Sequence, residues 1–183
     1  MSKYIKSPMN YTGGKYKLLP QILPLFPNNI NTFVDLFTGG GNIAVNVNAN
    51  RIIANDNEKH VIDLYKAFQN GYDNVEKIIS TIESYIAKYN LSIENAEGFN
   101  MLRNDYNRTP FKNNYITSTM LYVLICYSFN HQFRFNSKGE FNMPFGKNRS
   151  QWNDTMKKTL SIFIRQSPRK TLCLQIKISM NLK

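Results

Sequence analysis

Hydrophobic positions along this chain change their spacing three times. In the first third they come in short runs, Phe33, Val34, Leu36 and Phe37 within 32–37, and Ile52, Ile53 and Ala54 within 51–55. Short apolar runs bounded by turn residues read as buried strands. Between them, 42–50 spaces Ile43, Ala44 and Val47 as the inner face of a short helix. The stretch 32–55 therefore reads as strand, loop, helix, strand, the opening of a doubly wound sheet. Upstream, 15–26 carries Leu18, Leu19, Ile22, Leu23 and Phe26 at the spacing of a short helix, interrupted by Pro20 and Pro24. From residue 58 the period becomes helical over 58–69, 75–89 and 96–106. The second of these has the stripe Val75, Ile78, Ile79, Ile82, Tyr85, Ile86 and Tyr89. The segment 116–129 is apolar nearly throughout, which predicts a buried helix. Over 130–149 helical spacing vanishes, and the tail 171–180 alternates with period two, the pattern of a strand.

Composition narrows the class. The chain has 183 residues, of which 42% are hydrophobic and 19% charged. That is a globular chain of one domain, or one domain with a sizeable insertion. Its formal net charge is +11, which points to an anionic partner, nucleic acid first. A basic surface that serves only solubility fits the same number. Cys126 and Cys173 stand in apolar surroundings and read as free thiols of a reducing compartment. No CxxC occurs, and His60 and His131 are isolated, so no metal site is expected. The N-terminal residues lack the apolar core of a signal peptide, and the longest apolar run, 120–127, is far short of a membrane span. A cytoplasmic protein is expected.

The run Phe33-Val34-Asp35-Leu36-Phe37-Thr38-Gly39-Gly40-Gly41-Asn42 is a strand that breaks into a glycine loop. Glycine lets the backbone turn tightly and lets a ligand approach without a Cβ in between. A helix opening after the loop adds unpaired N–H groups and a positive pole. Such a site suits an adenosine-containing cofactor. Gly39, Gly41 and Ala44 occupy the positions of the loose G-x-G-x-x-A pattern, and Asp56 closes the next strand ~20 residues on, where an acidic residue receives ribose hydroxyls. A helix N-cap role also suits Asp56. The geometry serves NAD and S-adenosylmethionine alike. Two features favour S-adenosylmethionine: Asp35 offers a carboxylate to the methionine ammonium, and a second turn, Tyr11-Thr12-Gly13-Gly14-Lys15, lies just upstream. Over 130–149, basic and amide side chains alternate with aromatics, with turns at Ser137-Lys138-Gly139 and Pro144-Phe145-Gly146. Amides and arginine read base edges and phosphates, and aromatics stack or wedge. A hairpin whose aromatics face the core fits that pattern equally.

Four segments in this order resemble the adenine-specific DNA methyltransferases of the class whose type member methylates adenine in GATC. Tyr11 to Lys15 resembles the aromatic-x-Gly-Gly-Lys cofactor motif, and Phe33 to Asn42 the cofactor loop. Ala54-Asn55-Asp56-Asn57 resembles the acidic strand end. Ser128-Phe129-Asn130, Arg134-Phe135-Asn136, Gly139-Glu140-Phe141-Asn142 and Pro144-Phe145-Gly146 resemble the DNA-recognition hairpin. The resemblance implies an α/β, Rossmann-like, S-adenosylmethionine-dependent methyltransferase fold with a helical DNA-recognition insertion. It implies a cofactor-binding part over 1–57, a recognition subdomain with hairpin over 58–150, and a return segment with an atypical tail over 151–183. Tyr11, Lys15, Asp35, Phe37, Gly39, Gly41 and Asp56 would surround S-adenosylmethionine. Phe129, Asn130, Arg134, Asn136, Lys138, Pro144 and Lys147 would meet duplex DNA, with Arg134 on a guanine edge and Phe129 as the wedge beside a flipped adenine.

One departure stands out. The family's catalytic Asp-Pro-Pro-Tyr occurs nowhere in the 183 residues, and past Asp154 there is no Asp or Glu at all. On this reading the C-terminal strands of the fold are missing, and the resemblance ends at about Arg165. A frameshifted or prematurely stopped reading frame fits, and so does a natural split enzyme. The expected activity is methyl transfer to adenine in DNA by the family, with this chain an inactive form. A non-catalytic DNA- or cofactor-binding role is the alternative.

Overall fold

The computed structural model describes residues 3–71, 74–110, 115–167 and 172–176. Three parallel strands form its sheet. β1 (Ile30–Asp35) pairs with β2 (Ala49–Asp56), Thr32 against Arg51 and Asp35 against Ala54. β3 (Leu172–Ile176) lies on the other side of β2, with Asp56 opposite Ile176, so the order is β1-β2-β3. The C-terminal half of β2 is the buried part, with Ile52, Ala54, Asn55 and Asp56 all enclosed. The period-two tail thus becomes a sheet strand over 172–176, and residues 171 and 177–180 of that pattern lie outside the described residues.

Three expectations at the N-terminal end are corrected. The first strand runs over 30–35, not 32–37, because a side chain takes over from the ladder. Asn55 Nδ2 donates to the Leu36 carbonyl (2.9 Å), and the Thr38 N–H donates to the Asn55 carbonyl (2.8 Å). Phe37 therefore stands in a turn. The helix expected over 42–50 does not form, and 42–46 make turns. Asn46 Nδ2 donates to the carbonyls of Asn42 and Ile5 (2.8 Å each), and Asn46 Oδ1 accepts from the Ile5 N–H (2.8 Å). The amide side chain takes the Asn42 carbonyl that a helix would offer to the backbone N–H of residue 46. The helix expected over 15–26 breaks into 3-10 turns at Tyr16–Leu18 and Leu23–Leu25 around α1 (Leu19–Ile22). Pro20 and Pro24 contribute no N–H to a continuous helical ladder.

The helical periods further along are realised as α2 (Lys59–Asn70), α3 (Val75–Lys88), α4 (Ala96–Arg108) and α5 (Tyr115–Tyr127). α5 is buried continuously from Thr117 to Tyr127 and packs against α2, α3 and α4. A further helix, α6 (Asp154–Gln166), occupies the segment expected only to return the chain to the sheet. Asn153 caps it, its Oδ1 accepting from the Met156 N–H (3.0 Å), and Leu160, Phe163 and Ile164 are buried. One hydrophobic cluster runs from Met9 and Val45 through all five long helices to Phe141. Within it Tyr65 stacks on Phe163 (centroids 5.4 Å) and Phe68 meets Tyr122 edge-on (5.2 Å). Each large side chain so enclosed contributes roughly 1.5–3 kcal/mol relative to exposure. This shared core fixes the helices against the strand ends that carry the glycine loop. Among the described residues no helix is long and apolar enough to cross a membrane.

Candidate cofactor cleft and nucleic-acid interface

The glycine loop follows β1 and is held from behind by β2. Asp56, 7% exposed, accepts from the Gly39 N–H on Oδ2 (2.7 Å) and from the Glu58 N–H on Oδ1 (2.9 Å). Its carboxylate therefore ties the loop to the start of α2. Gly39 and Gly41 have φ of +46° and +69°. A Cβ at Gly39 would lie 3.0 Å from two Tyr11 ring carbons, and one at Gly41 would lie 3.2 Å from Tyr65 Cζ. Close approach and backbone angle together demand glycine at both positions. The N-terminal segment lies against the same loop through buried Asn42, whose Oδ1 accepts from the Ser7 N–H (3.1 Å).

A cleft opens between this loop and the Gly13-Gly14 turn. Tyr11, Lys15, Asp35, Phe37, Thr38 and Gly39 all line it. The structure thus brings five of the seven expected cofactor residues to one place: Tyr11, Lys15, Asp35, Phe37 and Gly39 line the cleft, and Gly41 and Asp56 support the loop from behind. Asp35 is partly enclosed, and its pKa is raised, chiefly by burial. Thr38 Oγ1 donates to its Oδ2 (3.2 Å), which works in the opposite direction. Phe37 is 74% exposed, an aromatic ring open to the cleft. Lys15 Nζ donates to the Gly13 carbonyl (2.6 Å). Burial raises the Tyr11 pKa, with Asp56 and Glu58 adding to it. Among the described residues no group of three His, Cys, Asp or Glu side chains is arranged to hold a metal ion.

The segment after α5 folds back on itself. Antiparallel bridges join Ser128 to Phe145 and Phe135 to Phe141. Asn136 makes the turn between the latter two. Its Oδ1 accepts from the N–H groups of Lys138 (2.9 Å) and Glu140 (3.0 Å), and its Nδ2 donates to Glu140 Oε2 (2.7 Å). The amide expected to meet DNA is engaged inside the turn. Arg134 is exposed, its Nε donating to Asn142 Oδ1 (2.9 Å) and its Nη2 to the Asn142 carbonyl (3.1 Å). Those bonds orient the guanidinium against Asn142. Phe129 is 39% exposed with Arg149 over its ring (4.8 Å), and Asn130 Oδ1 accepts from Arg149 Nη1 (3.4 Å). Lys138, Pro144 and Lys147 are exposed. Phe133 and Phe135, on either side of Arg134, turn inward. Tyr11 meets Phe133 at 5.4 Å, which puts the cleft beside the glycine loop and the hairpin in direct contact. Sequence reasoning named Asn42 and Asn142 only within their motifs and passed over Asn46 and Asn107, so it missed that these amides hold the arrangement. Their signal is weak because an asparagine amide that brackets a distant backbone has no local pattern.

Residues 11–179 match the family described as D12 class N6 adenine-specific DNA methyltransferase. The match runs past Arg165 and takes in β3, which corrects the expectation that the resemblance ends there. The chain is 52% identical over 163 residues to the type II methyltransferase M.FokI of Planomicrobium okeanokoites, covering 89% of this chain and 24% of that protein. It is 47% identical over 162 residues to the modification methylase StsI of Streptococcus sanguinis, covering 88% and 24%. Against the DNA adenine methylase of Escherichia coli (strain K12) it is 29% identical over 141 residues, covering 76% and 47%. The chain spans about a quarter of the length of the first two relatives and about half of the third.

Proposed function

The chain belongs to the D12 class of N6 adenine-specific DNA methyltransferases, and from that premise we propose that its residues hold S-adenosylmethionine and grip duplex DNA for methyl transfer to the exocyclic amine of adenine. In this reading the fold is the Rossmann-like methyltransferase fold. Residues 1–57 hold the cofactor, 58–150 read DNA, 151–183 return the chain to the sheet, and the protein works in the cytoplasm. The names of two relatives, a type II methyltransferase and a modification methylase, support a restriction–modification setting.

The observation that carries the reading is the pairing of a half-buried carboxylate with an exposed aromatic ring across one glycine loop. Asp35 suits a ligand ammonium, and the open face of Phe37 suits an adenine ring. Each oxygen of Asp56 already accepts one backbone N–H, and a carboxylate oxygen has a second lone pair left for a ribose hydroxyl. These residues fit the cofactor. When bound, S-adenosylmethionine supplies a methyl group on a positively charged sulfur. Tyr11 closes the cleft toward the hairpin, and Lys15 holds the Gly13-Gly14 turn in shape. On the hairpin, Arg134 is oriented for a base edge or phosphate, and the exposed Lys138 and Lys147 suit phosphates. The test is titration calorimetry with S-adenosylhomocysteine and with NAD. Tighter binding of S-adenosylhomocysteine is expected, and equal or tighter binding of NAD would sink the reading. One observation favours binding without transfer by these 183 residues alone. The family's Asp-Pro-Pro-Tyr acceptor is not among them.

A further inference from the structure

A line of contacts leads from the glycine loop to the hairpin through residues that neither the loop nor the hairpin contains. It begins at Asp56, whose carboxylate accepts from the Gly39 N–H on one oxygen and from the Glu58 N–H on the other. Glu58 caps α2. Its Oε1 accepts from the His60 N–H (3.2 Å) and meets His60 Nδ1 at 2.6 Å, so a proton on Nδ1 lies between them. That bond holds the Glu58 carboxyl below its ordinary value, against the effect of burial. The His60 ring then stacks on Phe135, with centroids 3.7 Å apart and planes 11° apart. Phe135 is the direct neighbour of Arg134 and pairs with Phe141 across the hairpin. Glu58 and Arg134 line one cleft together with Tyr11.

The spacing along the hairpin strand makes this contact directional. Phe133 leans on Tyr11 and Phe135 on His60, while Arg134 between them is exposed. The two rings thus anchor the backbone on either side of Arg134, which lines the same cleft as Tyr11 and Glu58. Tyr11 lies against Gly39 directly, and His60 reaches Gly39 through Glu58 and Asp56. A ligand that orders the Gly39 loop therefore acts on two anchors of the strand that carries Arg134.

We propose that Glu58 and His60 are positioning residues that couple occupancy of the cofactor cleft to the grip of the hairpin on DNA. The proposal rests on the reading of the cleft and hairpin given under Proposed function. Stacking alone would only steady the hairpin, with or without a ligand in the cleft. Coupling requires the whole line, including the bond between Glu58 and His60.

The experiment uses the full chain and the duplex that it selects from a randomised pool. Fluorescence anisotropy gives the duplex Kd with and without saturating S-adenosylhomocysteine, and calorimetry gives the reciprocal effect of duplex on the nucleoside. By linkage the two ratios must agree, and a ratio of about tenfold is expected for the unaltered chain. His60→Phe keeps a ring on Phe135 and removes the bond to Glu58. Glu58→Ala keeps His60 and removes its anchor. Both are expected to bring the ratio to within about twofold of unity while each ligand alone binds within about threefold of the unaltered chain. His60→Ala is expected to do the same where it folds. A His60→Phe variant that keeps the full ratio overturns the relay and leaves a structural stack. An unaltered chain that binds both ligands with no ratio between them also overturns it. A chain that binds neither ligand instead overturns the reading of the site itself.

Discussion

Asp35 combines a raised pKa with a place in the cleft beside the glycine loop, and the two together give its variants a definite signature. Its carboxyl holds a proton more tightly in the folded chain than in the unfolded one. Its charged form therefore costs stability once the pH is above its raised value, and costs nothing below the ordinary aspartate range. Asp35→Asn is accordingly expected to raise the melting temperature at neutral pH and to lose that advantage in acid, as thermal scans at several pH values will show. The same variant should weaken S-adenosylhomocysteine by about 1.5–3 kcal/mol, the worth of a hydrogen bond to a charged group. In the unaltered chain, calorimetry should find affinity falling as pH drops, beginning above the ordinary aspartate range. Affinity that is flat across that window would put the ligand ammonium elsewhere. On the hairpin, Arg134→Ala is expected to erase discrimination at one base pair at a cost of about 1–3 kcal/mol, while Lys138→Ala and Lys147→Ala weaken all duplexes alike and lower the salt dependence. Competition between selected and scrambled duplexes separates the two behaviours. If Arg134→Ala weakens both duplexes equally, Arg134 is a phosphate contact only.

At the scale of elements, the hairpin depends on a helix that shares no sequence motif with it. Asn107 of α4 brackets the hairpin backbone, its Nδ2 donating to the Phe141 carbonyl (3.0 Å) and its Oδ1 accepting from the Phe141 N–H (2.8 Å). Asn107→Ala leaves both backbone groups without this partner. It is expected to speed hydrogen exchange at the Phe141 amide and to destabilise the hairpin by about 1–3 kcal/mol. Unchanged exchange there would mean that the Phe135–Phe141 bridge suffices. Much of this level was legible in the sequence. The periods that produce α2 to α5 depend on local spacing, and an apolar stripe declares itself whatever it packs on. The glycine loop and its acidic strand end were legible because their backbone angles and close contacts admit few residue types. What failed to show were elements decided by distant partners. Residues 42–46 turn because Asn46 binds Ile5, and Phe37 leaves the strand because Asn55 claims the Leu36 carbonyl. α6 carried its own stripe and cap, and was hidden only by the irregular segment around it.

For the whole molecule, two properties set what the chain does by itself. With a formal charge of +11, the proposed DNA binding is expected to depend strongly on salt, since each lysine or arginine at a phosphate releases counterions. The 183 residues contain no Asp-Pro-Pro-Tyr and no acid beyond Asp154. Methyl transfer to adenine needs an acceptor for the hydrogen bonds of the amine, held against donor and base. With cofactor and DNA both bound, the purified chain is expected to transfer no radiolabelled methyl group. Incorporation above background would reveal an acceptor among residues so far given other roles.

The position of β3 carries a consequence for how this molecule is made. Its residues pair with β2 across a gap of more than a hundred positions, and the entire helical body lies within that gap. A flexible loop of that length would make closure entropically slow, and parallel pairing offers no local turn to start from. Helices that fold early shorten the search, because α2 and α6, joined through Tyr65 and Phe163, bring the two ends of the gap toward each other before the strand arrives. β3 leaves the ribosome after every helix it packs with and therefore docks after them, and until then the nascent chain waits with that side of β2 bare. Substitutions that loosen the Tyr65–Phe163 stack will lengthen that wait, and expose the half-built sheet to its neighbours, well before they alter the finished site.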